Sequence, residues 1–225
     1  MCTFEFEGSY HFQSFMLLIR VKYDVCRNYI LQKLCGMFIK LKNFSIRDIC
    51  LITMLTAVCV GSNYAFMSLP NVNIMDLVVF VTGFVFGSFI GGMTGILAWA
   101  VYGVLNPLGF SIPIWISSML GEAIFGFVGG VIGRIKDKKL KNPFDFKFSL
   151  EISFWGLILT IIYDLFTNFV FATTFGVSFV AAIVTGWFIP PWFGLMHEGS
   201  NLLFFFAAVH PLIRAIKRIK RGERV

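Results

Sequence analysis

The chain is 225 residues long, 57% hydrophobic and only 14% charged, with a formal net charge of +7. A soluble domain of that size carries roughly a quarter of its residues as charges, so composition excludes an ordinary soluble enzyme and indicates a bilayer protein, in line with a mean hydropathy of +0.80. The basic excess does not indicate nucleic acid: no Lys or Arg lies between Asp48 and Gly133 or between Phe148 and Ile213, and the basic blocks flank apolar runs as cytoplasmic loops do under the positive-inside rule.

Residues 1–44 are mixed in character, and "MLLIRVKYDVCRNYILQKLCGMFIKLKNF" (16–44) is weakly amphipathic. They read as a cytoplasmic or interfacial extension, or as sequence upstream of a start at Met16 or Met37. Glu5 and Glu7, with no basic segment before them, argue against a signal peptide. Cys2, Cys26, Cys35, Cys50 and Cys59 include no C-x-x-C pair, so neither a metal site nor a disulfide framework is indicated.

A bilayer span needs about 20 apolar residues. Ile46–Met67, Pro113–Arg134 and Leu150–Ala172 each supply one. Ile74–Val104 lies between two cytoplasmic basic blocks and must therefore cross an even number of times, which predicts two short helices with a tight turn near "FGSFIGG" (86–92), where glycines allow unusual backbone angles. The last crossing is placed at Ile189–Ile213. "VSFVAAIVTGWFI" (177–189) becomes a re-entrant or outer-side segment, with Trp187 and Trp192 near the outer interface. The expected fold is thus an all-α integral membrane protein, a six-transmembrane-helix bundle over 45–216 with N and C termini cytoplasmic, ending in a basic tail at 217–225.

Small residues signal close helix packing in lipid. Gly83, Gly87, Gly91 and Gly95 repeat every fourth position, and Gly126, Gly129, Gly130 and Gly133 line the end of the fourth helix; both sets read as packing within the molecule. Thr53, Ala57 and Gly61 on the first helix fit internal packing or docking to another subunit.

Polar residues inside apolar spans mark function by default, because an ionised carboxylate at bilayer depth needs a partner, water or a ligand. Glu122, Asp164, Glu198 and Asn201 fall at similar depth in the outer halves of three predicted helices. Asn168 shares the Asp164 face one turn outward. Trp99, Tyr102, Asn106 and Trp115 add rings and an amide on the same side, which together describe an outward-facing polar and aromatic cavity. His197 beside Glu198 is at most a minor proton-relay pair. No phosphate loop, H-E-x-x-H or G-x-S-x-G element is present, so no catalytic residue, metal or cofactor is assigned.

The helix-one opening "SIRDICLITMLTAV" (45–58), "LPNVNIMDLVVFVTGFVFGSFIGGMTGILAW" (69–99), "YGVLNPLG" (102–109), "GEAIFGFVGGVIGRI" (121–135), "YDLFTN" (163–168) and "HEGSNLLFFFAAVHPLIRAI" (197–216) together resemble the substrate-binding S components of energy-coupling factor (ECF) vitamin transporters. The resemblance implies a plasma-membrane subunit that binds a vitamin or related micronutrient from outside. It also implies association with a transmembrane scaffold subunit and two cytoplasmic ATPases, and toppling of the binding subunit to deliver its cargo. By the same resemblance, the small-residue stripe at Thr53, Ala57 and Gly61 meets the scaffold. The loop after helix one places Tyr64, Pro70, Asn71 and Asn73 over the site as a lid.

Acidic side chains without Lys or Arg in the outer half argue against an anionic group as the main anchor, and the aromatic rings favour a planar one. A flavin, thiamine-like, cobalamin-related or deazapurine compound fits. The rival readings are a polytopic membrane enzyme acting on lipid or peptide through Asp164, Glu122 and His197, and a small proton- or ion-coupled carrier.

Overall fold

The computed structural model describes residues 45–106, 109–136, 145–189 and 192–221, so the expectations for 1–44 lie outside the described residues. Seven helices appear there: α1 (Ile46–Ala65), α2 (Met75–Phe86), α3 (Ser88–Leu105), α4 (Ile112–Lys136), α5 (Phe146–Phe175), α6 (Phe179–Phe188) and α7 (Phe193–Arg221). By length and composition α1, α3, α4 and α5 can cross a membrane, and α6 with α7 makes a fifth candidate if the bent pair counts as one span.

α2 has nine of its 12 residues buried, including Asp76 and Thr82, and packs against α1, α3, α4 and α7. A helix apolar all round belongs in the interior, and this one is the hub of the bundle. At about 18 Å, from the helical rise of 1.5 Å per residue, it is shorter than the roughly 30 Å hydrocarbon core.

α2 and α3 break at Gly87, whose φ of 107° suits glycine alone. The chain folds back there: a Cβ built on Gly91 would lie 2.5 Å from the Gly83 Cα. The glycines continue the contact into α4. A Cβ at Gly83 would meet the Gly126 carbonyl at 1.9 Å, one at Gly129 the Phe80 carbonyl at 2.2 Å, and one at Gly133 the Phe84 carbonyl at 2.3 Å. The predicted ladder is therefore a backbone-to-backbone seam between α2, α3 and α4.

α1 turns Ile52, Thr56, Cys59 and Asn63 inward. Its other face exposes Thr53, Ala57 and Gly61, and a Cβ on Gly61 would have open space around it. Large apolar side chains are also exposed along α5 at Phe154, Ile158, Ile162 and Phe169, at helical spacing, as a lipid-facing stripe requires.

The two ends of the bundle differ. At one end the α2–α3 turn meets the basic last turns of α7, with Lys217 5.0 Å over the Phe84 ring and Lys220 5.4 Å over Phe86. Lys136 of α4 pairs there with Glu151 of α5. α7 runs as helix through Lys217 to Arg221, so the first part of the segment expected to be a separate tail continues the last helix. The opposite end gathers the α1–α2 loop, the α3–α4 connection, α6 and the start of α7, with no Lys or Arg among the described residues. The predicted outer-side segment is the short helix α6.

Candidate functional site

Three helices bring their polar side chains together near the loop end. Asp76 stands in the first turn of α2, Asp164 two thirds of the way along α5, and His197 in the second turn of α7. His197 Nδ1 lies 3.0 Å from Asp164 Oδ1, and Nε2 lies 2.8 Å from Asp76 Oδ2. All three are buried. Each contact needs one proton between nitrogen and oxygen, so the three groups hold two protons among them and no ring nitrogen is left over. The Tyr163 ring stands edge-on to the imidazole at 5.8 Å.

Asn201, one turn along α7 from His197 and fully buried, donates from Nδ2 to Asp76 and, at 2.8 Å, to Thr160 Oγ1. Glu122 of α4 is also fully buried, with Asp76 and Trp99 as polar neighbours and no well-formed hydrogen bond to its carboxyl oxygens. Below the cluster, toward the basic end, Phe80, Phe125 and Phe205 plug the interior, with Phe205 centred 5.1 Å from Phe80 and 6.4 Å from Phe125.

Aromatic rings form a second group. Trp115 donates from Nε1 to the Trp99 carbonyl at 3.0 Å, the Trp99 and Tyr102 rings meet edge-on at 5.4 Å, and Tyr64 adds a further edge contact to Tyr102 at 5.8 Å. Tyr64 also donates to the Leu105 carbonyl at 3.0 Å, tying the end of α1 to the end of α3. Gly103 is required here, because a Cβ would sit 2.3 Å from the Trp115 ring. Trp99 neighbours both this group and Glu122, joining the aromatic and acidic parts.

Of the other residues singled out in the sequence, Asn106 closes α3. Asn168 donates to the Asp164 carbonyl at 2.7 Å, one turn back on α5, and packs against Gly186 of α6. Glu198 is partly exposed beside Trp187. Asn71, in a left-handed conformation at φ 54°, donates to the Phe193 carbonyl at 3.1 Å and so pins the α1–α2 loop to the start of α7. Asn73 follows in the same loop with its side-chain oxygen buried.

Sequence reasoning missed Asp76 and gave His197 at most a minor role beside Glu198, whereas in the structure its ring nitrogens face Asp76 and Asp164. The available signal for Asp76 was a carboxylate leading directly into "LVVFV". No group of His, Cys, Asp and Glu among the described residues is arranged to hold a metal ion.

The family model for the ECF-type riboflavin transporter S component matches residues 43–215, about three quarters of the chain, covering α1 to α6 and most of α7. The chain belongs to this family. It is an ECF S component, an integral plasma-membrane protein and the substrate-binding subunit of a transporter. No curated protein and no solved structure matches it.

Proposed function

We propose that this S component captures a riboflavin-like vitamin at the loop end of the bundle and delivers it through a complex with an ECF scaffold subunit and two ATPases. The family match over 43–215 carries the reading, and its description supplies the flavin. Trp99, Tyr102, Trp115 and Tyr64 offer faces and edges for a flat tricyclic ring. Glu122, Asp164, Asn168, Glu198 and Asn201 provide the polar side, and Asn71 and Asn73 belong to the loop that closes over it. The six-crossing topology with both termini cytoplasmic is part of the same reading. It is supported by the alternation of helix ends between the basic and loop ends, with α2 and α3 as one tight hairpin.

Flavin fluorescence is quenched by stacking on indole or phenol, so titration of riboflavin into the detergent-purified protein should give saturable quenching at one site. Trp99→Ala together with Tyr102→Ala should weaken it at least about fivefold, from two aromatic contacts worth roughly 0.5–1.5 kcal/mol each beyond burial. Absence of saturable binding, with a non-flavin compound released from the same preparation, would remove flavin from the proposal.

The enzyme reading required its acid and base to share a substrate proton. Both ring nitrogens of His197 already face carboxylates inside the protein, and Glu122 is fully buried, which favours binding over catalysis.

A further inference from the structure

The buried polar atoms around Asp76 are unbalanced in sign. Asn201 Oδ1 is a fully buried acceptor without a partner, and Glu122 Oε1 and Oε2 are fully buried beside Asp76 and Trp99 with no well-formed hydrogen bond to either. The orientation of the Asn201 amide is fixed, because its nitrogen serves Asp76 and Thr160. Two adaptable groups, Thr56 Oγ1 and the Asn63 amide, lie on the same inward face of α1 as Cys59, whose thiol neighbours Glu122 and Asp76. Donors are nearly exhausted: His197 spends both nitrogens on Asp76 and Asp164, and no Lys or Arg lies between residues 48 and 133 or between 148 and 213. Native interiors leave few polar atoms unpaired, and a concentration of one kind calls for a complementary group.

We infer that Glu122 and Asn201, beside Asp76, form the specificity-determining polar end of the ligand site and accept N–H or O–H groups from a neutral or cationic nitrogen heterocycle. This rests on the reading of the chain as a ligand-capturing subunit and names the chemistry it selects. Trp99 would cover the ring. A phosphate or carboxylate enclosed there finds no free cation and faces three carboxylates, so anionic vitamins and phosphorylated forms are rejected.

The test is binding of five probes to the detergent-purified protein by equilibrium dialysis: riboflavin, thiamine, flavin mononucleotide, biotin and nicotinate. Riboflavin or thiamine should bind, and the three anions should bind at least about tenfold more weakly, the cost of an unpaired charge at a hydrogen-bonding site. Glu122→Gln should lower the affinity of the bound probe by a similar factor while raising the melting temperature of the ligand-free protein, because it removes one of two acids buried side by side. A purely structural Glu122 would shift neither in that combination. The inference is overturned if an anion binds as tightly as riboflavin or thiamine, if Glu122→Gln leaves affinity unchanged, or if no probe binds. Thiamine binding without riboflavin would sink the flavin assignment and leave the acceptor site standing. Equal binding of riboflavin and its phosphate would do the reverse.

Discussion

His197 is held from both sides, and removing it is the most damaging single change at the centre of the bundle. His197→Ala would leave Asp76 and Asp164 buried without their shared partner. Breaking a buried ion pair by deleting one member costs about 3–5 kcal/mol, so the melting temperature in detergent should fall sharply. His197→Gln, which retains a donor, should recover part of the loss; equal melting temperatures for His197→Ala and the parent would show that the two contacts contribute nothing. Asp164, Glu122 and Asn201 were legible in the sequence because each interrupts an apolar run, and Asp164 has the close partner that its cost in lipid demands. Asp76 was not legible, because an acid in a first helical turn reads as a favourable partner of the helix dipole. The partners of His197 were not legible for a geometric reason: consecutive helical residues point about 100° apart, so its neighbour Glu198 faces elsewhere and the partners come from other helices.

Helix pairing was more legible than side-chain pairing. Glycines at four-residue spacing announce backbone contact whatever their neighbours are, and the seam of Gly83, Gly91, Gly126, Gly129 and Gly133 follows that spacing. The end of α7 was less legible. Its charges suggested a tail, yet Val209, Ile213 and Ile216 continue the inward stripe at helical spacing past Pro211. For α1 the sequence left two uses of Thr53, Ala57 and Gly61 open. Their exposure favours docking, since small residues facing outward leave room for another helix to approach closely. Ala57→Leu should therefore reduce co-purification of the scaffold subunit severalfold while leaving the melting temperature of the isolated subunit within about 0.5 kcal/mol equivalent, as expected for an exposed site. Undiminished co-purification would assign that face to lipid.

Among the described residues the helix bundle is polarised from end to end, with cations at one end and none at the other. Under the positive-inside rule this distribution predicts a cytoplasmic basic end. In intact cells Leu69→Cys, on the α1–α2 loop, should react with a membrane-impermeant maleimide in a background stripped of native cysteines. Ile219→Cys, exposed on the last turns of α7, should react only after permeabilisation. Labelling of both from outside, or the reverse pattern, would require a different topology. The expected six crossings were read from charge parity, whereas four described helices, or five with the bent pair, are long and apolar enough to cross, and composition hides how unequal the helices are. α2 is short and shielded, whereas α5, at 30 residues, faces outward over much of its length.

The α1–α2 loop and the polar core are also mechanically one piece. Asn71 is fastened to the α7 backbone at Phe193, and a few residues later Asp76 is fastened to His197 and Asn201 on the same helix. With its lower attachment inside the hub helix, the loop cannot swing aside as a free flap. Either it flexes within the short span between the two fastenings, or it drags Asp76 out of the core and leaves His197 with Asp164 alone, so movement of this loop is coupled to the polar core.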